Sequence, residues 1–270
     1  MLNAEKEIKI NTQYKFINLK SEYCLQKIFD YIPKKISLKI IKCNKTIQKV
    51  LNININSYKE YSEIYSEIEL EIVPIQCNYC KFINIKEEDK KYIHIYFNDN
   101  KEEIKREYAN KEDYVSKINI IIDYQIKSFN KLFYYCEHIE SIKFKKFYRN
   151  NIINMNGIFA GCSSLKEINF SNFNTNNVID MSHMFSGCKS LKKLNFFNFN
   201  TNNVIDMSCM FETCYSLKEL NLSNFNTNNV INMGSMFNIC SSLEQINISN
   251  FNTENVINMN NMFNCCSSLK

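Results

Sequence analysis

The stretch NTNNVIDMSHMFSGCKSLKKLNFFNF occupies residues 174–199, and NTNNVIDMSCMFETCYSLKELNLSNF follows directly as residues 200–225. NTNNVINMGSMFNICSSLEQINISNF fills 226–251, and a fourth copy opens at Asn252 and runs to Lys270. A tandem array with a 26-residue period outranks any local signal, because each copy must set the same side chains in the same surroundings. In the copy from Asn200, Leu217, Leu220 and Leu222 fit an L-x-x-L-x-L strand, with Leu220 and Leu222 on one face. Phe225 follows as a further inward anchor. Upstream, Met207, Met210, Phe211 and Cys214 fall at i, i+3, i+4 and i+7, which predicts one face of a short helix. Asp206 and its equivalents Asn154, Asp180, Asn232 and Asn258 are all Asp or Asn, residues that accept from the free N–H groups of a first helical turn. Gly161 and Gly187 suit a left-handed residue at the end of such a turn.

These features predict an α/β, leucine-rich-repeat-type solenoid, one strand plus one short helix per repeat, with an N-terminal helical and α+β cap region. Strands are expected at 165–170, 191–196, 217–222 and 243–248. One repeat cannot bury enough apolar surface alone, so its stability must come from stacking on its neighbours. The N-V-I-[DN]-M-x-x-M-F-x-x-C-x-S-L core and the L-N-[LIF] strand resemble the BspA-like leucine-rich repeat family, in its 26-residue surface-protein form. The resemblance spans about the last 120 residues. It implies a curved solenoid used for adhesion or protein binding at a cell surface, and no enzyme activity.

Working backwards, Phe133, Cys136, Ile139, Ile142, Phe144 and Phe147 lie 26 residues before Phe159, Cys162, Leu165, Ile168, Phe170 and Phe173. A degenerate repeat thus precedes the clear ones, and Val115, Ile118 and Ile120 fit the strand template once more. The organisation read from this is a helical region at 1–57, an α+β capping unit at 58–114 and a solenoid at 115–270. The array stops where the next strand should begin, so further repeats are expected downstream.

Within 1–57, Leu25, Ile28, Phe29 and Ile32 recur at helical spacing, and Pro33 ends that element. With Tyr31, Leu38 and Ile41 they resemble an F-box, a small helical motif that docks a ubiquitin-ligase adaptor; the Trp common near its end is absent. An ordinary helical pair packed on the next unit fits the same residues. In 58–114, Ile64–Val73, Phe82–Ile85 and Tyr92–Phe97 read as strands.

The net charge is +5, yet residues 151–270 carry six Lys and seven acidic residues, so the positive excess lies in the N-terminal half. A nearly neutral array is a poor phosphate binder, which argues against nucleic acid as its ligand. No apolar run approaches the ~20 residues of a membrane helix, and no secretory h-region follows the start. A cytoplasmic location is expected from this, with a cell surface as the family-based alternative. Six of the twelve cysteines form a column, Cys136, Cys162, Cys188, Cys214, Cys240 and Cys266, expected to be buried reduced thiols. Cys77-x-x-Cys80 lacks a second pair for a zinc site; His94, Cys24 or Cys43 would have to complete one, and plain thiols are the expected state of the pair.

No nucleophile–base pair, carboxylate pair, Gly-rich phosphate loop or metal motif stands out, so no catalytic, cofactor or metal residue is assigned. The candidate ligand-binding residues are outward-facing strand positions. Asn169, Asn195, Asn221 and Asn247 form one column, and Phe197 interrupts the neighbouring column of Ser171, Ser223 and Ser249. A row of amides offers donors and acceptors to a protein, peptide or glycan; side-chain ladders between coils are the other reading of the same column.

Overall fold

The computed structural model describes residues 22–32, 34–51, 59 and 63–270. The chain divides into two compact units, 1–65 and 66–270. In the first, α1 (Glu22–Tyr31), α2 (Lys34–Cys43) and α3 (Lys45–Val50) are short helices. Asn44 caps α3, its Oδ1 accepting from Thr46 N at 3.0 Å and Ile47 N at 3.1 Å. Leu25, Ile41 and Ile47 are buried together as a small core of their own. Residues 1–21 lie outside the described residues, as does Pro33.

The second unit begins with a mixed sheet. Its strands are β1 (Ile68–Pro74), β3 (Ile93–Phe97), β5 (Ile118–Ile122), β6 (Ile139–Lys146) and β7 (Glu167–Asn169), in the order β3-β5-β1-β6-β7. Period-2 burial explains them: Ile68, Leu70 and Ile72 of β1 face the core, as do Ile118, Ile120 and Ile122 of β5. β5 pairs antiparallel with both β1 and β3, so it is not the strand of a stacked repeat. A second, two-stranded pairing joins β2 (Cys80–Lys81) to β4 (Tyr108–Ala109).

The first parallel pair is β6 with β7, matching Ser141 to Glu167 and Ile142 to Ile168, a 26-residue offset. From there the repeats lie side by side. Parallel bridges run Ser128–Asn154–Asp180–Asp206–Asn232–Asn258, each step one repeat. β8 (Glu219–Asn221) pairs with β9 (Gln245–Asn247) in the same register. The expected strands shrink to three residues at 167–169, 219–221 and 245–247, and 191–196 forms none.

The expected unit of one strand plus one short helix is not what forms: from Ser66 onward the described residues hold no α-helix, and the five-stranded sheet is mixed rather than one continuous ladder of repeat strands. The reason is visible in the 181–188 segment. Alternate N–H groups point along the stack: Met181, His183, Phe185 and Gly187 donate to the carbonyls of Asp206, Ser208, Met210 and Glu212 in the next repeat, at 2.8–3.0 Å. The intervening Met184, Ser186 and Cys188 donate locally, three residues back. His183 and Gly187 take left-handed φ values of +55° and +74°, which stops the chain from continuing as a right-handed helix. The result is a run of tight turns whose donors serve the neighbouring repeat. The i, i+3, i+4, i+7 residues are nonetheless all inward: Met181, Met184, Phe185 and Cys188 are fully buried, as are Met207, Met210, Phe211 and Cys214.

Between repeats the core is an aromatic file. Phe133, Phe159, Phe185, Phe211, Phe237 and Phe263 stack with centroids 5.2–5.8 Å apart. One hydrophobic core runs from Ile68 to Met262. Asp180 and Asp206 cap the turns, accepting from Ser182 N and Ser208 N at 2.9 and 2.7 Å. Each also accepts an amide from an adjoining repeat, Asn154 at 3.2 Å and Asn232 at 3.1 Å respectively. No helix among the described residues is long and apolar enough to cross a membrane.

Candidate functional site

The strand-side face carries the residues singled out from the sequence. Asn195, Asn221 and Asn247 are exposed and Asn169 is half-buried. Each Oδ1 accepts from the backbone N–H two residues on, at Ser171, Phe197, Ser223 and Ser249, over 2.9–3.1 Å. This local turn fixes the side chain and leaves the Nδ2 group outward as a donor. The column is therefore not an amide ladder between repeats.

Those ladders are built by other asparagines. Asn198 donates to Ser171 O and Asn224 to Phe196 O, both at 2.8 Å. Asn200 and Asn226 reach Asn176 Oδ1 and Asn202 Oδ1 at 3.2 and 2.9 Å. Thr175, Thr201 and Thr227 bridge repeats from buried positions, each hydroxyl donating to the carbonyl of Asn200, Asn226 or Asn252 at 2.8–2.9 Å.

Phe197 is 85% exposed, the largest exposure of any phenylalanine on the strand side. It borders an open groove of about 360 Å³ together with Glu167, Asn169, Ser171, Asn195 and Asn198. The adjacent column mixes signs, with Lys193 3.9 Å from Glu219. The groove thus combines one aromatic anchor, the amides of Asn169 and Asn195, and a single carboxylate, Glu167.

The turn side presents a second, larger cleft of about 720 Å³, which the sequence did not point to. Tyr134, Tyr135, Tyr215, Lys131, Lys189 and His183 line it. Tyr134 and Tyr135 meet edge to face, with centroids 4.5 Å apart. The signal available in the sequence was the replacement of small residues by Tyr in the first, degenerate repeat. Gly161, at φ +76°, lies under this aromatic pair: a Cβ there would come within 2.9 Å of the Tyr135 ring.

The cysteine column consists of free thiols. Cys162, Cys188, Cys214 and Cys240 donate Sγ–H to the carbonyls of Phe133, Phe159, Phe185 and Phe211 at 3.0–3.2 Å. Burial pushes the thiols of Cys162, Cys188 and Cys214 well above the ordinary range, and neighbouring column sulfurs add to it. Cys240 is pushed up to about 12 by burial. Such thiols are poor nucleophiles and poor ligands. Cys77 and Cys80 differ from the expectation of thiols or a partial metal site: they are joined to each other as a disulfide, their Cα atoms 5.7 Å apart. His94, considered as a possible third ligand there, instead lies 2.8 Å from Glu103 and 3.5 Å from Asp123.

On the helical unit, Leu25 is 1% exposed and packs inward with Ile41 and Ile47, so it is unavailable as a docking residue. Ile28 and Ile32 are half-buried, and the side chain of Phe29 lies outside the described residues.

The fold and its surfaces define a tandem-repeat protein whose repeats are built from turns, with one groove on the strand side and one cleft on the turn side. The family described as "Mycoplasma protein of unknown function, DUF285" matches residues 127–219 and 193–270, which is more than half of the chain. The chain belongs to this family, and the matched segment begins one residue before the first parallel bridge, at Ser128. No curated protein and no solved structure matches it.

Proposed function

We propose that the chain is a non-enzymatic interaction scaffold of the BspA-like kind, which takes a protein or peptide segment on the strand-side groove around Phe197. The observation that carries this reading is Phe197 itself: an aromatic ring 85% exposed where the other repeats place serine. Exposing a large ring costs solubility and gains nothing for the core, whereas rings flanked by polar donors are frequent interface anchors. The side-chain amides of Asn169, Asn195, Asn221 and Asn247 supply hydrogen-bonding groups at one per repeat along this face. The mixed charges of Lys193 and Glu219 favour a polar peptide over a polyanion.

The experiment is a selection from a displayed peptide library on the full chain, followed by affinity measurement against Phe197→Ser. Serine is the residue of the same column at Ser171, Ser223 and Ser249, so the fold is retained. An anchor of this type is worth ~2 kcal/mol or more, a loss of about 30-fold. Unchanged affinity for peptides selected on the wild-type chain would remove Phe197 and this face from the reading.

A further inference from the structure

Among the described residues, one group of three metal-capable side chains converges: His183, Cys209 and Glu212, whose ligand atoms all lie within 4.8 Å of one another. The repeat geometry produces this meeting. His183 and Cys209 hold the same place in successive repeats, both left-handed at φ +55° and +53°, so their side chains leave the turns on the same side. Glu212 N–H closes the next turn onto Cys209 O at 3.1 Å, which places the carboxylate beside the thiol.

The residues depart from the repeat at each position. The His183 and Cys209 column holds Gly157, Ser235 and Asn261 elsewhere, and the Glu212 column holds Ala160, Ser186, Asn238 and Asn264. None of those offers an imidazole, thiolate or carboxylate. The Glu212 carboxylate is also oriented from both neighbouring repeats: Asn238 Nδ2 donates to Oε1 at 3.0 Å, and Ser186 Oγ to Oε2 at 3.4 Å. Outer hydrogen bonds of this kind fix ligating carboxylates in metal sites.

We propose that His183, Cys209 and Glu212 form a three-ligand site for a divalent cation of the zinc type on the turn side of the repeats. One imidazole nitrogen, one sulfur and one carboxylate oxygen match the donor set that such ions take, at ~2.0–2.3 Å from the metal. Tetrahedral ligands at those distances lie roughly 3.5 Å apart, so closing the site from its present spread needs about 1 Å of side-chain movement. On binding, the Cys209 thiol releases its proton to solvent as the sulfur coordinates. His183 is exposed, which gives the ion a route in and leaves the fourth position to water.

The test uses the untagged full chain in a phosphine reductant, with Zn(II) titrated by calorimetry and Co(II) by absorption. One ion per chain and a thiolate-to-cobalt charge-transfer band are expected. Cys209→Ser, His183→Asn and Glu212→Asn each install a residue that its own column carries in another repeat, so the metal-free variants should melt with the wild type. Cys209→Ser should abolish the band, and each of the three should weaken binding at least about tenfold. The double variant Cys77→Ser with Cys80→Ser should bind as the wild type does. Absence of binding, a band that survives Cys209→Ser, or a band lost only with the Cys77 and Cys80 substitutions would each overturn the site. Should one variant fail to fold, the other two decide.

Discussion

Replacing Phe211 by alanine should destabilise the repeats severely, whereas Phe197→Ala should hardly register. Phe211 is fully buried. Its ring stacks on Phe185 at 5.5 Å and 7°, and on Phe237 at 5.6 Å and 3°. Phe196 meets it edge-on at 5.8 Å. Truncating a buried phenylalanine costs ~3–5 kcal/mol. Three aromatic partners, each worth ~0.5–1.5 kcal/mol beyond area, place the loss toward the upper end. Flanking repeats hold the rings on both sides, so the cavity has little scope to collapse. With a urea dependence of ~2 kcal/mol per molar, a loss of ~4 kcal/mol moves the midpoint by about 2 M. Phe197 buries almost nothing, and its truncation should stay within ~0.5 kcal/mol. Urea denaturation followed by circular dichroism reads both. Equal midpoint shifts, or a larger shift for Phe197→Ala, would refute the assignment of inward and outward faces.

Native-state alkylation followed by mass spectrometry should label the exposed Cys24 and Cys265, and leave Cys162, Cys188 and Cys214 unlabelled until denaturant is added; burial holds those thiols protonated. Labelling of Cys188 at the rate of Cys265 would contradict the buried column. Gly161→Ala should cost about 1–2 kcal/mol through its left-handed backbone alone, before the contact with the Tyr135 ring is counted; an unchanged thermal midpoint would show that the turn has another conformation. Acid should reveal the Arg106–Asp113 pair, whose atoms lie 2.5 Å apart. The hydrogen bond from Arg106 holds the Asp113 carboxyl below its ordinary range. That stabilisation is therefore present above the unfolded value of ~4 and is lost as pH falls through the lower folded value. Asp113→Asn should flatten the stability–pH curve in that window, and an identical curve for the variant would dismiss the pair.

Much of the repeat was legible in the sequence, because inward positions are set by which side chains avoid water. Met207, Met210, Phe211, Cys214, Leu217, Leu220, Leu222 and Phe225 were all assigned inward, and all are buried. The backbone that carries them was not legible. A run of turns with left-handed residues at 209 and 213 presents the i, i+3, i+4, i+7 set to the core as well as a helix would. Gly161 and Gly187 hinted at left-handed turns. Thr213 and Ile239, left-handed at +56° and +59°, hid the pattern, since β-branched residues disfavour that region and adopt it here under the cross-repeat hydrogen bonds. The Asn column on the strand side is exposed at Asn195, Asn221 and Asn247, but its Oδ1 atoms serve local turns that spacing alone does not reveal. The three-ligand cluster escaped because His183 and Cys209, though in one column, stand 26 residues apart, and with Glu212 of a second column they meet only when one repeat is laid on the next. Likewise, β5 matched the repeat template in its apolar residues, and only its antiparallel partners β1 and β3 separate it from the array.

The most direct measurement is through-hydrogen-bond scalar coupling by NMR at Phe185. Its N–H donates to the carbonyl of Met210 in the next repeat at 2.8 Å. The stacked-turn account predicts a coupling between Phe185 N and Met210 C′, and the matching coupling between Phe211 N and Met236 C′. A coupling from Phe185 N to Met181 C′, four residues back, would mean that the segment is a helix after all and that the repeats are held together in another way.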